Sequence, residues 1–184
     1  MAASNGRFIW IDLEMTGLLP ETDHILEIAV IITDGDLNVL EEGPALVIHQ
    51  PESVLDTMID RVRELHEPSG LIDAVRASTV SLQEAEQEAL EAIQRNCERH
   101  TGILAGNSVW QDAIFMRKYM PRIMKYLHYR IVDVSSVKEL VNRWYPNDPN
   151  LFFEKKSNHR ALQDIQESIA ELKHYREYFF KSAE

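Results

Sequence analysis

The chain has few of the residues that build disulfide scaffolds or flexible linkers. Its 184 residues include one cysteine, Cys97, with seven glycines and seven prolines. A single cysteine excludes an intrachain disulfide and favours a reducing compartment. The low glycine and proline content argues against long disordered linkers. The length suits one domain with a real core. We therefore predict a single domain over residues 1–184, in which residues 1–6 form a disordered tail and Cys97 is a half-buried helix residue.

The sequence also has no long hydrophobic run. Its longest apolar stretch, residues 25–32, is interrupted by Glu27 and is too short to span a bilayer. The first seven residues, Met-Ala-Ala-Ser-Asn-Gly-Arg, have no apolar segment of the kind found in secretory signals. We expect no membrane association and a cytoplasmic location, and a mitochondrial form with a removed targeting peptide stays open.

Positive charge is scarce as well. The chain has 19 lysines and arginines against 30 aspartates and glutamates, for a formal net charge of −11. Because proteins hold long nucleic acids mainly through lysine and arginine contacts to phosphates, this chain is a poor candidate for gripping a long duplex. It is compatible with a very short nucleic acid held by metal ions and a few donors. An ordinary acidic protein would have the same charge.

The hydrophobic pattern predicts three strands followed by alternating helices and short strands. The first strands are predicted at 8–14, 25–33 and 37–49, the last of them interrupted near Gly43-Pro44, and their short links make an antiparallel meander. An α/β fold with a mixed sheet follows. The remaining elements are helices at 54–65, 70–76, 111–119, 135–144 and 159–180, a helix opened by a capping box of Ser81 and Glu84, and strands at 102–105 and 130–132.

Asp12 and Glu14 form the sharpest pattern in the sequence. Side chains two residues apart on a strand share a face, so these two carboxylates lie side by side at the end of the first strand. Like charges at that distance repel each other, and a divalent cation between them would offset the repulsion. The alternative is a solvated strand end with two ordinary charges, which is the commoner explanation of an isolated Asp-x-Glu.

Three later residues are ordinary when taken one at a time. Asp112 follows a Gly-Asn-Ser turn near a helix start, where a carboxylate can serve merely as a partner of the helix dipole. His159 and Asp164 are separated by about 140° on a straight helix and would not share a face. The pair makes better sense if His159 precedes the helix or lies in its first turn, with Ser157 or Asn158 as N-cap.

Taken together and in order, these residues resemble the DEDD exonucleases of the histidine-containing subclass. The likeness extends from about residue 8 to residue 181 and is closest to the oligoribonuclease family, with the block Asp-Leu-Glu-Met-Thr-Gly as its most specific part. The segments that carry it are Ile-Trp-Ile-Asp-Leu-Glu-Met-Thr-Gly-Leu (9–18), Ile-Leu-Glu-Ile-Ala (25–29), Ala-Gly-Asn-Ser (105–108), Tyr-Met-Pro (119–121), His-Tyr-Arg (128–130), Asp-Val-Ser (133–135) and His-Arg-Ala-Leu (159–162).

The resemblance implies a ribonuclease-H-like exonuclease domain that assembles as a homodimer. It implies removal of 5′-mononucleotides from the 3′ ends of very short RNAs, dinucleotides above all, with two divalent ions, Mg²⁺ or Mn²⁺, as cofactors. His159 would be the general base, and the metal ligands would be Asp12, Glu14, Asp112 and Asp164. The substrate would be bound by Leu18 beside a base and by a cap on its terminal phosphate, in which Tyr129 and Arg130 come from the partner subunit; the residues implied are Leu18, Ser108, Tyr129, Arg130 and Ser135.

The sequence departs from the family pattern at positions that affect substrate binding. Arg61 stands where family members usually have a tryptophan that stacks on a base, and Ala113 and Ile114 replace basic residues. Gln163 replaces an aspartate before the last ligand. Two alternatives therefore stay open beside the oligoribonuclease reading: a related exonuclease acting on longer RNA or DNA ends, and a catalytically silent RNA-binding or scaffold protein. A metal phosphatase is a weaker third.

Overall fold

A computed structural model describes residues 6–155 and 160–181 of the chain. A five-stranded sheet in the order β3-β2-β1-β4-β5 forms its centre. The first three strands pair antiparallel, while β4 runs parallel to β1 and β5 parallel to β4. The predicted mixed sheet with an antiparallel first half is confirmed. The strands are β1 (Phe8–Met15), β2 (Ile25–Thr33), β3 (Val39–Val47), β4 (Ile103–Gly106) and β5 (Ile131–Asp133).

Eight helices of the described ranges connect and cover these strands. They are α1 (Glu52–Leu55), α2 (Asp60–His66), α3 (Leu71–Ala77), α4 (Leu82–Asn96), α5 (Trp110–Tyr119), α6 (Pro121–Tyr126), α7 (Val134–Trp144) and α8 (Ala161–Phe179). The predicted capping box is present, because the Ser81 hydroxyl accepts from the Glu84 amide and the Glu84 carboxylate accepts from the Ser81 amide. Cys97 is half-buried, as predicted, but it is the C-cap of α4 with an extended backbone and does not lie within the helix.

The alternation of side chains along β1 divides the core into two layers. Ile9, Ile11 and Leu13 pack on one side against residues of α4, α5 and α6. Trp10 packs on the other side against residues of α7 and α8, including Ile165. Every residue of β2 is buried, which explains its continuous apolar run. The predicted apolar face of the last helix is confirmed by the second layer, which contains Ala161, Leu162, Ile165, Ile169, Leu172 and Tyr175.

Three details of the predicted elements were wrong. The helix predicted over 54–65 is two short helices, α1 and α2, separated by residues 56–59. Helix α6 was missed, because Pro121 was taken only as the end of the preceding helix, although proline is also favoured in a first helical turn. Strand β3 continues through Gly43-Pro44, where a register shift against β2 absorbs an extra residue.

The last helix begins at Ala161, two residues later than predicted. Its N-cap is Arg160, with an extended backbone, and neither Ser157 nor Asn158 takes that position; both lie outside the described residues. The tail predicted over 1–6 also lies outside them, apart from exposed Gly6. Within the described ranges, no helix combines the length and apolarity that crossing a bilayer requires.

Candidate active site

The carboxyl ends of β1, β4 and β5 meet at one edge of the sheet because these three strands run parallel. Asp12 and Glu14 lie near the end of β1, and Asp164 lies in the first turn of α8. One carboxylate oxygen from each of these three residues lies within 4.8 Å of the other two. The tertiary structure therefore brings together three of the four predicted metal ligands, separated by up to 152 positions in the sequence.

Asp112, the fourth predicted ligand, lies beside this group. It occupies the first turn of α5 and is only 6% exposed. Its Oδ1 accepts a hydrogen bond of 2.9 Å from the backbone amide of Leu13, between the two acids of β1. One oxygen of Asp112 is thus committed to fixing α5 against β1, and the carboxylate is held next to Asp12 and Glu14.

The negative charges in this group oppose one another strongly. Burial raises the pKa of Asp12 well above its usual range, and the charges of Asp112 and Glu14 raise it further. Burial also raises the pKa of Glu14 to about 8, with the charges of Asp164 and Glu27 adding to the effect. The pKa of Asp112 is raised by burial to about 7. These carboxyl groups can all be ionised at neutral pH only if a positive charge lies among them.

A divalent cation fits the residues present. The donor atoms are all carboxylate oxygens, which suit hard ions such as Mg²⁺ and Mn²⁺. The raised pKa values of Asp12 and Glu14 indicate an excess of negative charge that a bound cation would relieve. Arg160 supplies a partial offset, since it lowers the pKa of Glu14, but burial and the neighbouring acids outweigh it.

Two buried residues beside the acids, Glu27 and His66, were not predicted from the sequence. Glu27 is buried on β2 directly opposite Glu14, and its carboxylate accepts from Arg160 at 2.7 Å. His66 is also buried; its Nε2 lies 3.0 Å from the Met15 carbonyl oxygen and its Nδ1 lies 3.8 Å from Glu14 Oε2. Glu27 could have been found from the sequence, because it is a charged residue inside the apolar run of β2.

A pair of hydroxyls lies at the same edge, where the chain leaves β4 and β5. Ser108 and Ser135 place their Oγ atoms 3.1 Å apart. Asp133 Oδ1 accepts from the backbone amides of both serines, at 3.1 Å and 2.9 Å. Ser108 has a positive φ of 50°, a conformation that costs energy for a residue other than glycine and tends to occur at functional positions. Two of the five predicted substrate residues, Ser108 and Ser135, therefore lie together.

Comparisons with known proteins identify the family of the chain. A family model described as exonuclease, RNase T, matches residues 9–172. Human mitochondrial oligoribonuclease is 53% identical over 175 residues, which are 95% of this chain and 74% of that protein. The oligoribonuclease of Shewanella loihica is 51% identical over 181 residues, covering 98% of this chain and 99% of that one. The chain belongs to the oligoribonuclease family. It is therefore a nuclease that hydrolyses phosphodiester bonds, and its exonuclease family implies dependence on divalent metal.

Solved structures of exonuclease I share the fold. A zinc-bound complex of the Escherichia coli enzyme with single-stranded DNA has a TM-score of 0.73 at 17% identity and covers 95% of this chain. The enzyme of Methylocaldum szegediense has a TM-score of 0.68 at 19% identity and covers 96%. The chain spans about two fifths of their length, 41% in each case, and the likeness shows the fold alone.

The other site residues predicted from the oligoribonuclease family are His159, Leu18, Tyr129 and Arg130. His159 lies outside the described residues, so its role stays a prediction. Leu18 is 66% exposed, and its carbonyl accepts from Gln111 Nε2 at 2.7 Å. Tyr129 is 79% exposed, stacks on His128 at 4.5 Å between ring centroids and lies under the Arg130 guanidinium.

Arg130 lies at the end of β5 opposite to the two serines. It immediately precedes β5, whereas Asp133 ends that strand and Ser135 follows it. Among the described residues, no hydrogen bond joins the Arg130 side chain to Ser108 or Ser135. Arg130 of the same chain therefore does not bind to Ser108 or Ser135 in this structure.

Proposed function

We propose that the chain removes 5′-mononucleotides from the 3′ ends of very short RNAs and prefers dinucleotides. The observation that carries this proposal is the presence of two different sites at one sheet edge. The acids Asp12, Glu14 and Asp164 form one, and the hydroxyls of Ser108 and Ser135 form the other. A substrate long enough to reach both but no longer would need no basic groove, which agrees with the net charge of −11.

Asp12, Glu14, Asp112 and Asp164 would hold two divalent ions, Mg²⁺ or Mn²⁺. Such ions, when bound, neutralise the carboxylates, polarise the scissile phosphate and make water a better nucleophile. Asp112 contributes through the oxygen that is not bonded to Leu13, because Oδ1 already accepts from that amide. Asp112 is buried and hydrogen-bonded to β1, so this ligand is oriented before substrate arrives.

His159 would act as general base and take a proton from the attacking water. Histidine suits this role because its ordinary pKa lies close to neutral pH. His159 directly precedes Arg160, whose guanidinium is bound by buried Glu27. Arg160 is the N-cap of α8, the helix that carries Asp164.

The substrate would be gripped at its two ends. Ser108 and Ser135 would bind its terminal phosphate, and Leu18 would lie against a base. Tyr129 and Arg130 would reach the site of the other subunit in a homodimer, which agrees with their exposure and with their place at the far end of β5. A cytoplasmic location stays a prediction, since the relatives include bacterial proteins and proteins named as mitochondrial.

Length-resolved digestion tests the reaction. Labelled di-, tri- and longer oligoribonucleotides are incubated with Mn²⁺ or with EDTA, and Asp12→Asn serves as the inactive control. We expect the dinucleotide to be cut fastest and every product to vanish in EDTA. Equal or faster cleavage of long RNA or DNA would favour the alternative exonuclease. No cleavage by the wild-type chain under any metal condition would favour a silent binding protein.

Mixing two inactive variants tests the dimer. Asp12→Asn removes a metal ligand but retains Arg130, whereas Arg130→Ala retains all four acids. If the arginine acts across subunits, a heterodimer of the two has one complete site. An equal mixture should then recover roughly a quarter of wild-type activity, because about half of the dimers are mixed and each has one working site of two. No recovery from a mixture shown to exchange subunits would contradict the proposed arrangement.

A further inference from the structure

A continuous line of hydrogen bonds joins the serine pair to the interior of α8. Ser135 Oγ donates to Asn107 Oδ1 at 3.0 Å. Asn107 Nδ2 donates to Ser168 Oγ at 2.8 Å and to Glu171 Oε2 at 3.0 Å. Ser168 Oγ donates in turn to the backbone carbonyl of Asp164 at 2.8 Å. Asn107 therefore connects the proposed phosphate site with the helix turn that carries a predicted metal ligand.

The orientation of the Asn107 amide is determined by its partners in α8. Glu171 is fully buried, and a carboxylate can only accept hydrogen bonds. The Ser168 hydroxyl has already committed its single proton to Asp164, so it also accepts from Asn107. The amide nitrogen must face these two acceptors, because the reverse orientation would place Asn107 Oδ1 against the carboxylate. The amide oxygen therefore faces Ser135.

Glu171 is held as a charged acceptor by its own neighbours. Lys155 lies 2.6 Å from Oε2, Lys138 lies 3.5 Å from Oε1 and the Tyr175 hydroxyl donates to Oε1 at 2.9 Å. Burial acts to raise the pKa of Glu171, but the contacts from Lys155, Tyr175 and Asn107 outweigh it and the pKa is lowered. The charge that orients Asn107 is thus present at neutral pH.

This orientation decides which serine has a proton to give. Ser135 has one hydroxyl proton, and it points to Asn107 Oδ1. The Ser135 oxygen accepts from the Ser108 amide at 3.0 Å, so in the hydroxyl pair Ser108 is the donor. Ser108 is the exposed member of the pair. Before a phosphate binds, the single Ser108 proton is directed at the Ser135 oxygen. A phosphate oxygen can take this proton by rotation of the exposed Ser108 hydroxyl, because the Ser135 oxygen still accepts from the Ser108 amide. Rotation of the Ser135 hydroxyl would instead leave the Asn107 amide oxygen without its donor.

We infer that Asn107 is a positioning residue for terminal-phosphate recognition: oriented by Glu171, it makes Ser108 the phosphate donor and Ser135 the residue that holds Ser108 in place. This inference rests on the proposed function, in which the serine pair binds a phosphate. It assigns the two serines different roles, which a simple two-hydroxyl cap does not.

Substitutions that exchange donor and acceptor test the inference. Asn107→Asp retains size and still offers an acceptor, but its charge is repelled by Glu171, so the side chain should move away and Ser135 should lose its partner. Asn107→Asp combined with Glu171→Gln removes this repulsion without changing the total charge, because the introduced amide at 171 can donate to the introduced carboxylate at 107. Binding of the dinucleotide pApA and of its 5′-hydroxyl counterpart ApA is measured in EDTA, where no turnover occurs. The single variant should weaken pApA binding about tenfold, as expected for losing one hydrogen bond to a charged group, and ApA binding less than about twofold. The double variant should recover most of the loss.

A matched control separates orientation from general damage. Asn96 also donates to a carboxylate, Glu41 Oε2 at 2.7 Å, but it lies at the end of α4. Asn96→Asp should lower the melting temperature without changing the ratio of pApA to ApA affinity. An equal loss of pApA and ApA binding by Asn107→Asp, or no recovery in the double variant, would overturn the inference.

Ser108→Ala distinguishes failure of the inference from failure of the proposed function. If Ser108→Ala weakens pApA binding and Asn107→Asp does not, the phosphate site stands and the role of Asn107 is wrong. If neither variant changes the preference for pApA, the serine pair does not bind the phosphate and the proposed function fails at this point.

Discussion

Glu27 and Arg160 form an ion pair that joins strand β2 to the start of helix α8 across 133 positions of the sequence. The Glu27 carboxylate accepts from Arg160 Nε at 3.1 Å, from Nη2 at 2.7 Å and from the Ala161 amide at 3.1 Å. Glu27 is 3% exposed and lies opposite Glu14 in the sheet. The pair therefore fixes the first turn of α8, which carries Asp164, against the strands that carry the other acids.

Removing the charge of Glu27 should destabilise the protein. Glu27→Gln leaves the Arg160 guanidinium without its counter-ion, and breaking a buried pair costs several kcal/mol; since Arg160 is partly exposed, we expect about 2–3 kcal/mol. Urea denaturation measures the change. Glu52→Gln is the matched control, because the Glu52–Arg76 pair is as short, at 2.6 Å, but exposed, and its loss should change stability little. Equal effects of the two substitutions would contradict a structural role for Glu27.

Removing one charge from the acidic group should stabilise the metal-free protein. Asp12→Asn relieves repulsion with Asp112 and Glu14 and should raise the free energy of unfolding in EDTA by about 1 kcal/mol while abolishing cleavage. With Mn²⁺ the order should reverse, since only the wild type gains from tight ion binding. Exposed Asp56→Asn is the control. If metal-free Asp12→Asn is less stable than the wild type, repulsion among the acids does not lower the free energy of unfolding.

The stability of the metal-free protein should fall as the pH rises from about 4.5 to about 8. In the unfolded chain a glutamate loses its proton near pH 4.5, whereas folded Glu14 retains it to a pKa of about 8, and folded Asp112 to about 7. The folded state thus holds more protons over this interval, and each rise in pH favours unfolding. Urea denaturation in EDTA at several pH values measures the slope. Glu14→Gln should reduce this slope. An unchanged slope in the variant would show that Glu14 does not cause the pH dependence.

Substituting the predicted general base should separate chemistry from metal binding. His159→Ala should retain the rise in melting temperature that Mn²⁺ gives the wild type, because no metal ligand is lost. Its turnover should fall by about 10² or more, the usual contribution of general base catalysis. Single-turnover cleavage of a dinucleotide measures the rate. Full activity in His159→Ala would remove this residue from the mechanism.

Restoring the aromatic residue of the family pattern should tighten substrate binding. Arg61 is exposed in the first turn of α2, so a larger ring can be placed there without disturbing the core. Arg61→Trp should lower KM about fivefold through stacking on a base, with little change in kcat. Exposed Arg122→Trp on α6 controls for nonspecific aromatic contacts. An unchanged KM would mean that position 61 does not contact a base.

Local patterns in the sequence were sufficient for several elements. The bounds of β2, the capping box of α4 and the common face of Asp12 and Glu14 all depend on neighbouring residues, whose geometry repeats with a fixed period. The family resemblance added the ordered set of acids, since a motif records residues that function together even when they are distant along the chain. The pattern of residues 54–65 did not show whether they form one helix or two; in the structure, Leu55 and Met58 are buried in one cluster with Leu26 of β2.

The tertiary structure alone decided which groups meet. Packing of α8 on the sheet places Asp164 against Asp12 and Glu14, brings Arg160 to Glu27 and joins Glu171 to Asn107. Each contact spans tens to more than a hundred residues, and polar side chains have no periodic signal that would reveal a distant partner. The kind of chemistry that the site supports could be proposed from residue types and their order. Its electrostatic balance and hydrogen-bond directions could not, because they depend on burial and on atoms that only the folded chain brings into contact.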